Sequence, residues 1–167
     1  IVDARERFVT QREQPKLATI TTAIANGRLE LSAAGHPTLV VDVRADGGAR
    51  SVLIWKDKCR GIDAGDEAAA WLSRVLGDRL RLVRMDDQLP RLANPEYVGP
   101  DPQPITFTDG YPMLMISRES LAELNRRLPA PIPMARFRPS VVIEGVTAHA
   151  EDAMVSFRFG KIVLRGV

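Results

Sequence analysis

Ser117 closes a short apolar run, Pro112 to Ile116, and opens a segment in which Leu121, Leu124 and Leu128 recur at helical spacing, with Arg136 and Arg138 further along. A helix start offers unpaired backbone N–H groups and partial positive charge, which suits an anion. Two planar guanidinium forks beside it would complete a phosphate clamp. The same residues serve equally well as the cap of an ordinary helix, because serine is a favoured N-cap. Ser120 and Glu123 also stand at capping-box spacing. Pattern therefore leaves the first helical residue open over about three positions.

Other reactive side chains are sparse. Asp109 and the pair Glu151-Asp152 are either proton-transfer groups or solvated loop carboxylates. The single Cys59, between Lys58 and Arg60, excludes an intramolecular disulfide and reads as an inert, part-buried thiol. His36 and His149 are the only histidines, so no Cys/His set has metal-ligand spacing, and the metal-ligand assignment within this chain is none. Trp55 and Trp71 are expected in packing rather than as stacking platforms. Arg12 either faces a pocket or pairs with a carboxylate. A Gly-x-Ser-x-Gly elbow, a Walker loop and a Rossmann fingerprint are all missing, which leaves a hydrolase, an NTPase or a nicotinamide enzyme without support.

Composition sets wider bounds. With 167 residues, 45% hydrophobic and 26% charged, the chain can bury a core as one domain or two small ones. Basic residues number 23 against 21 acidic, a net charge of +2. That is a weak basis for holding nucleic acid, and no nucleic-acid partner is expected. No apolar run approaches the roughly 20 residues of a membrane-spanning helix, so no membrane partner is expected either. One cysteine fits a reducing, cytoplasmic setting. The chain opens at Ile1-Val2-Asp3 without a starting Met or a signal pattern, and further residues upstream are expected.

The elements that must position these side chains read as follows. Short β-prone runs are expected at Ile1 to Ala4, Phe8 to Thr10, Leu17 to Ala25 and Arg28 to Ala33, the last two joined by Asn26-Gly27, the dipeptide of a tight hairpin. More follow at Thr38 to Val43, Ala49 to Ile54 and Cys59 to Asp63, separated by Asp46-Gly47-Gly48 and Lys56-Asp57-Lys58. Acidic Asp66 and Glu67 begin a helix whose apolar face is Ala68, Trp71, Leu72, Val75 and Leu76, ending at Gly77. Leu80 to Met85 resumes the β pattern. Prolines at 90, 95, 100, 102 and 104 mark residues 89–105 as a linker or lid between 1–88 and 106–167. Beyond the Ser117 helix, strands are expected at Val141 to Ile143, Val155 to Phe159 and Ile162 to Arg165, with Lys161 placed in a strand as well. The fold class is α+β and β-rich, with an antiparallel, barrel-like N-terminal region and a few helices.

Several segments sharpen this reading. Phe8-Val9-Thr10-Gln11-Arg12-Glu13-Gln14-Pro15-Lys16-Leu17-Ala18, Gly65-Asp66-Glu67-Ala68-Ala69-Ala70-Trp71-Leu72 and Leu80-Arg81-Leu82-Val83-Arg84 resemble the N-terminal β-barrel region of MOSC proteins. Asp109-Gly110-Tyr111-Pro112, Ile116 to Asn125, Arg136-Phe137-Arg138-Pro139-Ser140-Val141-Val142-Ile143 and Glu151-Asp152 resemble the first part of the MOSC domain itself. The pattern is nearest the amidoxime-reducing members, mitochondrial and bacterial.

The resemblance implies a molybdenum cofactor, held through its phosphate and pterin by the protein and through a cysteine thiolate at the metal. It implies an oxidoreductase of N-hydroxylated or N-oxide small molecules that draws electrons from a redox donor protein or domain. By position, Ser117, Arg118, Arg138 and Ser140 match cofactor-contacting residues, Ser140 standing where those relatives have Asn. The catalytic residue is unknown: the metal-binding cysteine of the family is expected beyond Val167, and the chain by itself is expected to be inactive. A Lys-Ser contact and an Asp-Arg pair are expected upstream. An alternative implied by the related sulfurase domain is a cofactor-binding or sulfur-carrying module without reductase activity. Family descriptions attach pyridoxal phosphate too, for which the C-terminal half offers only Lys161.

Overall fold

The computed structural model describes residues 1–42 and 47–166, with the side chain of Tyr97 set aside. The end of the expected strand at Val43 and the start of the Asp46-Gly47-Gly48 turn lie outside the described residues, as does Val167. The chain divides into two compact units, Ile1–Arg91 and Leu92–Val167.

In the first unit, β1 (Thr21–Ala25), β2 (Arg28–Ser32) and β3 (Leu39–Asp42) form an antiparallel sheet in that order. Asn26 and Gly27 take φ of 52° and 72°, the left-handed pair that lets a two-residue loop follow the strand twist. A second sheet runs β4 (Ala49–Ile54), β5 (Asp57–Asp63), β6 (Val83–Met85), also antiparallel. Helix α1 (Asp66–Leu76) begins with two acids and stops at Gly77, whose left-handed φ of 76° ends the helix and returns its N–H to Ser73.

The core is the meeting of Leu31, Leu39 and Val41 from the first sheet with Ala68, Trp71, Leu72 and Leu76 of α1, closed by Leu80. The Trp71 indole N–H reaches the Pro37 carbonyl at 2.6 Å, so its polar edge is satisfied inside the core. Asp63, at the end of β5, is buried and bound from three sides. Its Oδ2 accepts from Arg50 at 3.1 Å and Arg81 at 2.6 Å, and its Oδ1 accepts the Gly65 N–H at 2.8 Å. Arg50 also grips Glu6, and Arg81 reaches Asp66 at 2.7 Å. One carboxylate thus ties together the N-terminal turn, β4, the start of α1 and the chain before β6.

Several expectations need correction here. The β4–β5 loop is Trp55-Lys56, not Lys56-Asp57-Lys58: Ile54 pairs with Asp57, and Trp55 itself adopts φ of 56°. A tryptophan seldom marks a turn, whereas a run of charged residues reads as a solvated loop, which is why sequence favours the wrong site. Trp55 is half exposed and meets Phe8 edge to face, with centroids 4.6 Å apart, so it is not a core residue. Leu17 to Thr19 belongs to a 3-10 turn, Pro15–Thr19, because Pro15 pre-sets helical φ at its start. Ile1 to Ala4 and Phe8 to Thr10 form single bridges, Val2 with Phe8 and with Arg81, rather than full strands.

At the boundary between the units, β7 (Arg91–Leu92) pairs with β8 (Pro104–Ile105); in the second unit α2 (Pro95–Val98) is one turn capped by the Asn94 side chain. The proline-dense stretch is therefore partly ordered. β9 (Met115–Ser117) leads into α3 (Arg118–Arg127), and β10 (Val141–Ile143) returns parallel to β9. Parallel pairing demands a crossover, supplied by α3 and the proline loop after it. The Asn125 amide holds that loop from both sides, donating to the Ile132 carbonyl at 3.1 Å and accepting its N–H at 2.9 Å. The hairpin of β11 (Ser156–Phe159) and β12 (Ile162–Arg165) follows, turning at Gly160-Lys161. Lys161 thus lies in the turn and not in a strand.

The protein is α+β and β-rich. Among the described residues its strands form separate sheets of two or three, and no sheet closes into a barrel. No described helix is long and apolar enough to cross a membrane.

Candidate functional site

The residues singled out from sequence gather around β9, α3 and β10. Ser117 is the N-cap of α3: its hydroxyl accepts the Ser120 N–H at 3.0 Å, and the two serine hydroxyls lie 2.6 Å apart. The Ser120–Glu123 alternative is not used as a cap. Ser117 is wholly buried and Ser120 nearly so. Its hydroxyl is committed within the fold.

The positive end of α3 holds an anion of the protein's own. Glu151, in the 3-10 turn Ala150–Ala153, accepts the Ser117 N–H on Oε1 at 2.8 Å. Its Oε2 is buried without a hydrogen-bond partner among the described residues. Burial pushes the Glu151 carboxyl up, yet hydrogen bonds from Ser120, from the Ser117 N–H and from its own backbone outweigh it and bring it down to about 2. The neighbouring His149 N–H donates to the Ser120 hydroxyl at 2.7 Å, and its ring lies 3.3 Å from Glu123. Glu119 accepts the Gly145 N–H at 2.7 Å, fixing the loop after β10 to the same helix turn. Sequence reasoning missed this use of Glu151 because no local spacing links it to Ser117, 34 residues earlier.

Arg118 points into solvent and pairs with exposed Glu144 at 3.0 Å, a contact of little energetic weight. Arg138 is exposed and sits at φ 52°, ψ 47°, left-handed geometry that costs a non-glycine residue energy and often marks a working position. Ser140 is fastened to the strand beside it: its N–H donates to the Leu114 carbonyl at 2.8 Å and its hydroxyl accepts the Leu114 N–H at 3.3 Å. The register sets Ser117 beside Ile143 and Met115 beside Val141. Ser140 therefore lies at one end of the β9–β10 pair and Ser117 at the other, roughly 10 Å away at the usual strand rise. The structure brings Ser117, Arg118, Ser120 and Glu151 together at one end, and Arg138 with Ser140 at the other.

The remaining candidates fall elsewhere. Asp109 accepts the Gly110 N–H at 2.9 Å, and Arg12 is exposed. Cys59 lies in β5 of the first unit, its thiol pushed up by burial. No group of three His, Cys, Asp or Glu side chains among the described residues converges to hold a metal ion.

Residues 1–79 match the family model of the MOSC N-terminal beta barrel domain, and residues 102–167 match that of the MOSC domain. This chain belongs to the MOSC family. Along its whole length the MOSC chain is 28% identical over 173 residues to the mitochondrial amidoxime-reducing component 1 of Homo sapiens, covering 51% of that protein. It is 26% identical over 174 residues to the mitochondrial amidoxime reducing component 2 of Rattus norvegicus, covering 52% of it. The chain spans about half the length of the curated relatives it matches. A solution structure of a Bordetella bronchiseptica protein superposes on 56% of the MOSC chain and 75% of its own, at TM-score 0.50 and 21% identity, a likeness of fold alone.

The cap of the MOSC helix is open to a direct test. Ser117→Ala should lower stability by about 1 to 2 kcal/mol, because it removes the cap acceptor and strands the Ser120 N–H in the interior. Urea unfolding would show this as a lower midpoint at unchanged slope. An unchanged midpoint would mean that the cap bond contributes nothing.

Proposed function

We propose that this MOSC chain shapes part of the cofactor pocket of a molybdenum-cofactor-dependent reductase acting on N-hydroxylated or N-oxide substrates with electrons from a redox partner. The observation that supports it best is Arg138, an exposed arginine on left-handed backbone three residues ahead of the first residue of β10, in a chain whose relatives are named amidoxime-reducing components. Arg138 and Ser140 fit an acidic group. The guanidinium presents a fork of donors, and the Ser140 hydroxyl, already accepting from Leu114, keeps its own proton to donate. The start of α3 does not fit one, since Glu151 fills it. A bound molybdenum cofactor supplies the two-electron redox centre, while the residues described here bind and orient its acidic part. A reducing, cytoplasmic setting belongs to the same proposal, supported by the lone thiol of Cys59.

In the full-length protein, Arg138→Ala should weaken cofactor retention by about 1.5 to 3 kcal/mol, the value of a hydrogen bond to a charged group. The test is molybdenum and pterin content after purification from cells that make the cofactor. Equal loading of variant and wild type would remove Arg138 from the pocket. In the full-length protein, cofactor that stays bound without turnover of a model amidoxime, electron donor supplied, would favour a cofactor-binding or sulfur-carrying module instead.

A further inference from the structure

We infer that Glu151 is the resident anion of the α3 start, a carboxylate that closes this helix terminus to phosphate-bearing ligands. The inference stands apart from the cofactor proposal, because it concerns bonds within the chain. Three observations carry it. First, the terminus has the character of an anion seat: the Ser117 N–H points outward from the helix and finds an oxygen at 2.8 Å. Second, that oxygen is delivered by a short turn fixed to the same helix by other bonds, His149 N–H to the Ser120 hydroxyl at 2.7 Å and the His149 ring to Glu123 at 3.3 Å. Third, the second carboxylate oxygen is itself buried and has no hydrogen-bond partner among the described residues, so the side chain is turned inward although the residue is only half-buried.

The consequence is competitive. A phosphate arriving at Ser117 would meet a fixed negative charge where it needs a positive field, and the like charges repel. Glu151 is thus a positioning residue. It sets where α3 begins and confines acidic ligands to arginines away from that point.

Chemical rescue tests this without any cofactor. Glu151→Ala vacates the seat and should lower the melting temperature by about 4 to 8 °C, the shift expected of a loss near 1 kcal/mol in a small unit. Acetate or inorganic phosphate should then raise the melting temperature of the variant above that in matched chloride, and shift the amide resonances of Ser117 to Ser120. The wild type should show neither response. Equal responses in wild type and variant, or no anion effect on the variant, would overturn the inference. If the alanine variant does not fold, Glu151→Gln, which keeps the shape and removes the charge, should melt below the wild type near neutral pH; equal melting temperatures would overturn the inference. Should neither variant fold, the wild-type Ser117 amide decides: its resonance should titrate near pH 2, and titration in the ordinary carboxylate range would overturn the assignment.

Discussion

Trp71→Ala should cost the first unit about 4 kcal/mol, within the 3 to 5 typical of deleting a large aromatic from a core. Trp71 is 2% exposed and packs where α1 meets the β1–β3 sheet. Its loss opens a cavity between helix and sheet and leaves the Pro37 carbonyl without the 2.6 Å hydrogen bond it now receives. Both losses act on the same contact. Far-ultraviolet circular dichroism through a urea series measures the effect. A drop below about 1 kcal/mol would show that helix and sheet hold together without the indole.

Replacing Asp63 should be nearly as damaging, for a different reason. Asp63→Asn should cost about 3 kcal/mol near neutral pH, because Arg50 and Arg81 converge on one buried oxygen and lose its charge together. Burial pushes the Asp63 carboxyl up, but the hydrogen bond from Arg81, the Gly65 N–H and the charges of Arg81 and Arg50 outweigh it and hold the carboxyl below its ordinary value. Such a group stabilises the fold above its unfolded value, near 3.9, and loses that contribution as pH falls through the lower folded value. The wild type should therefore approach Asp63→Asn in stability as the pH is lowered below about 4. A constant gap between them from neutral to acid pH would rule out the charge as the cause.

These two sites show what a sequence discloses. Trp71 was legible because α1 obeys a single local rule: acids at the start, apolar residues at helical spacing, and a glycine where the helix must stop. The Asn26-Gly27 hairpin was legible for the same reason, its backbone demand being met by two adjacent residues. Trp55 shows the opposite case. Its left-handed turn is imposed by the pairing of β4 with β5, and nothing in a lone tryptophan announces that. At the candidate site, the Ser117 cap could be read from residue type, whereas the seat of Glu151 could not, since its contact closes a long stretch of chain. The separation of Arg138 from Ser117 also escaped sequence, because it follows from the parallel direction of β10, and strand direction leaves little mark on so short an apolar run.

That parallel direction has a kinetic side. The β1–β2 pair, joined by two residues, can zip up from its turn within microseconds, each new bond beginning where the last one formed. β9 and β10 have no such starting point: Ser117 meets Ile143 only after the intervening helix and proline loop have folded back, and the entropy of closing that loop precedes any reward. Assembly of the Leu92–Val167 unit is therefore paced by the search of one distant segment for another. The Asn125 amide, by docking the loop at Ile132, shortens the span that must be searched.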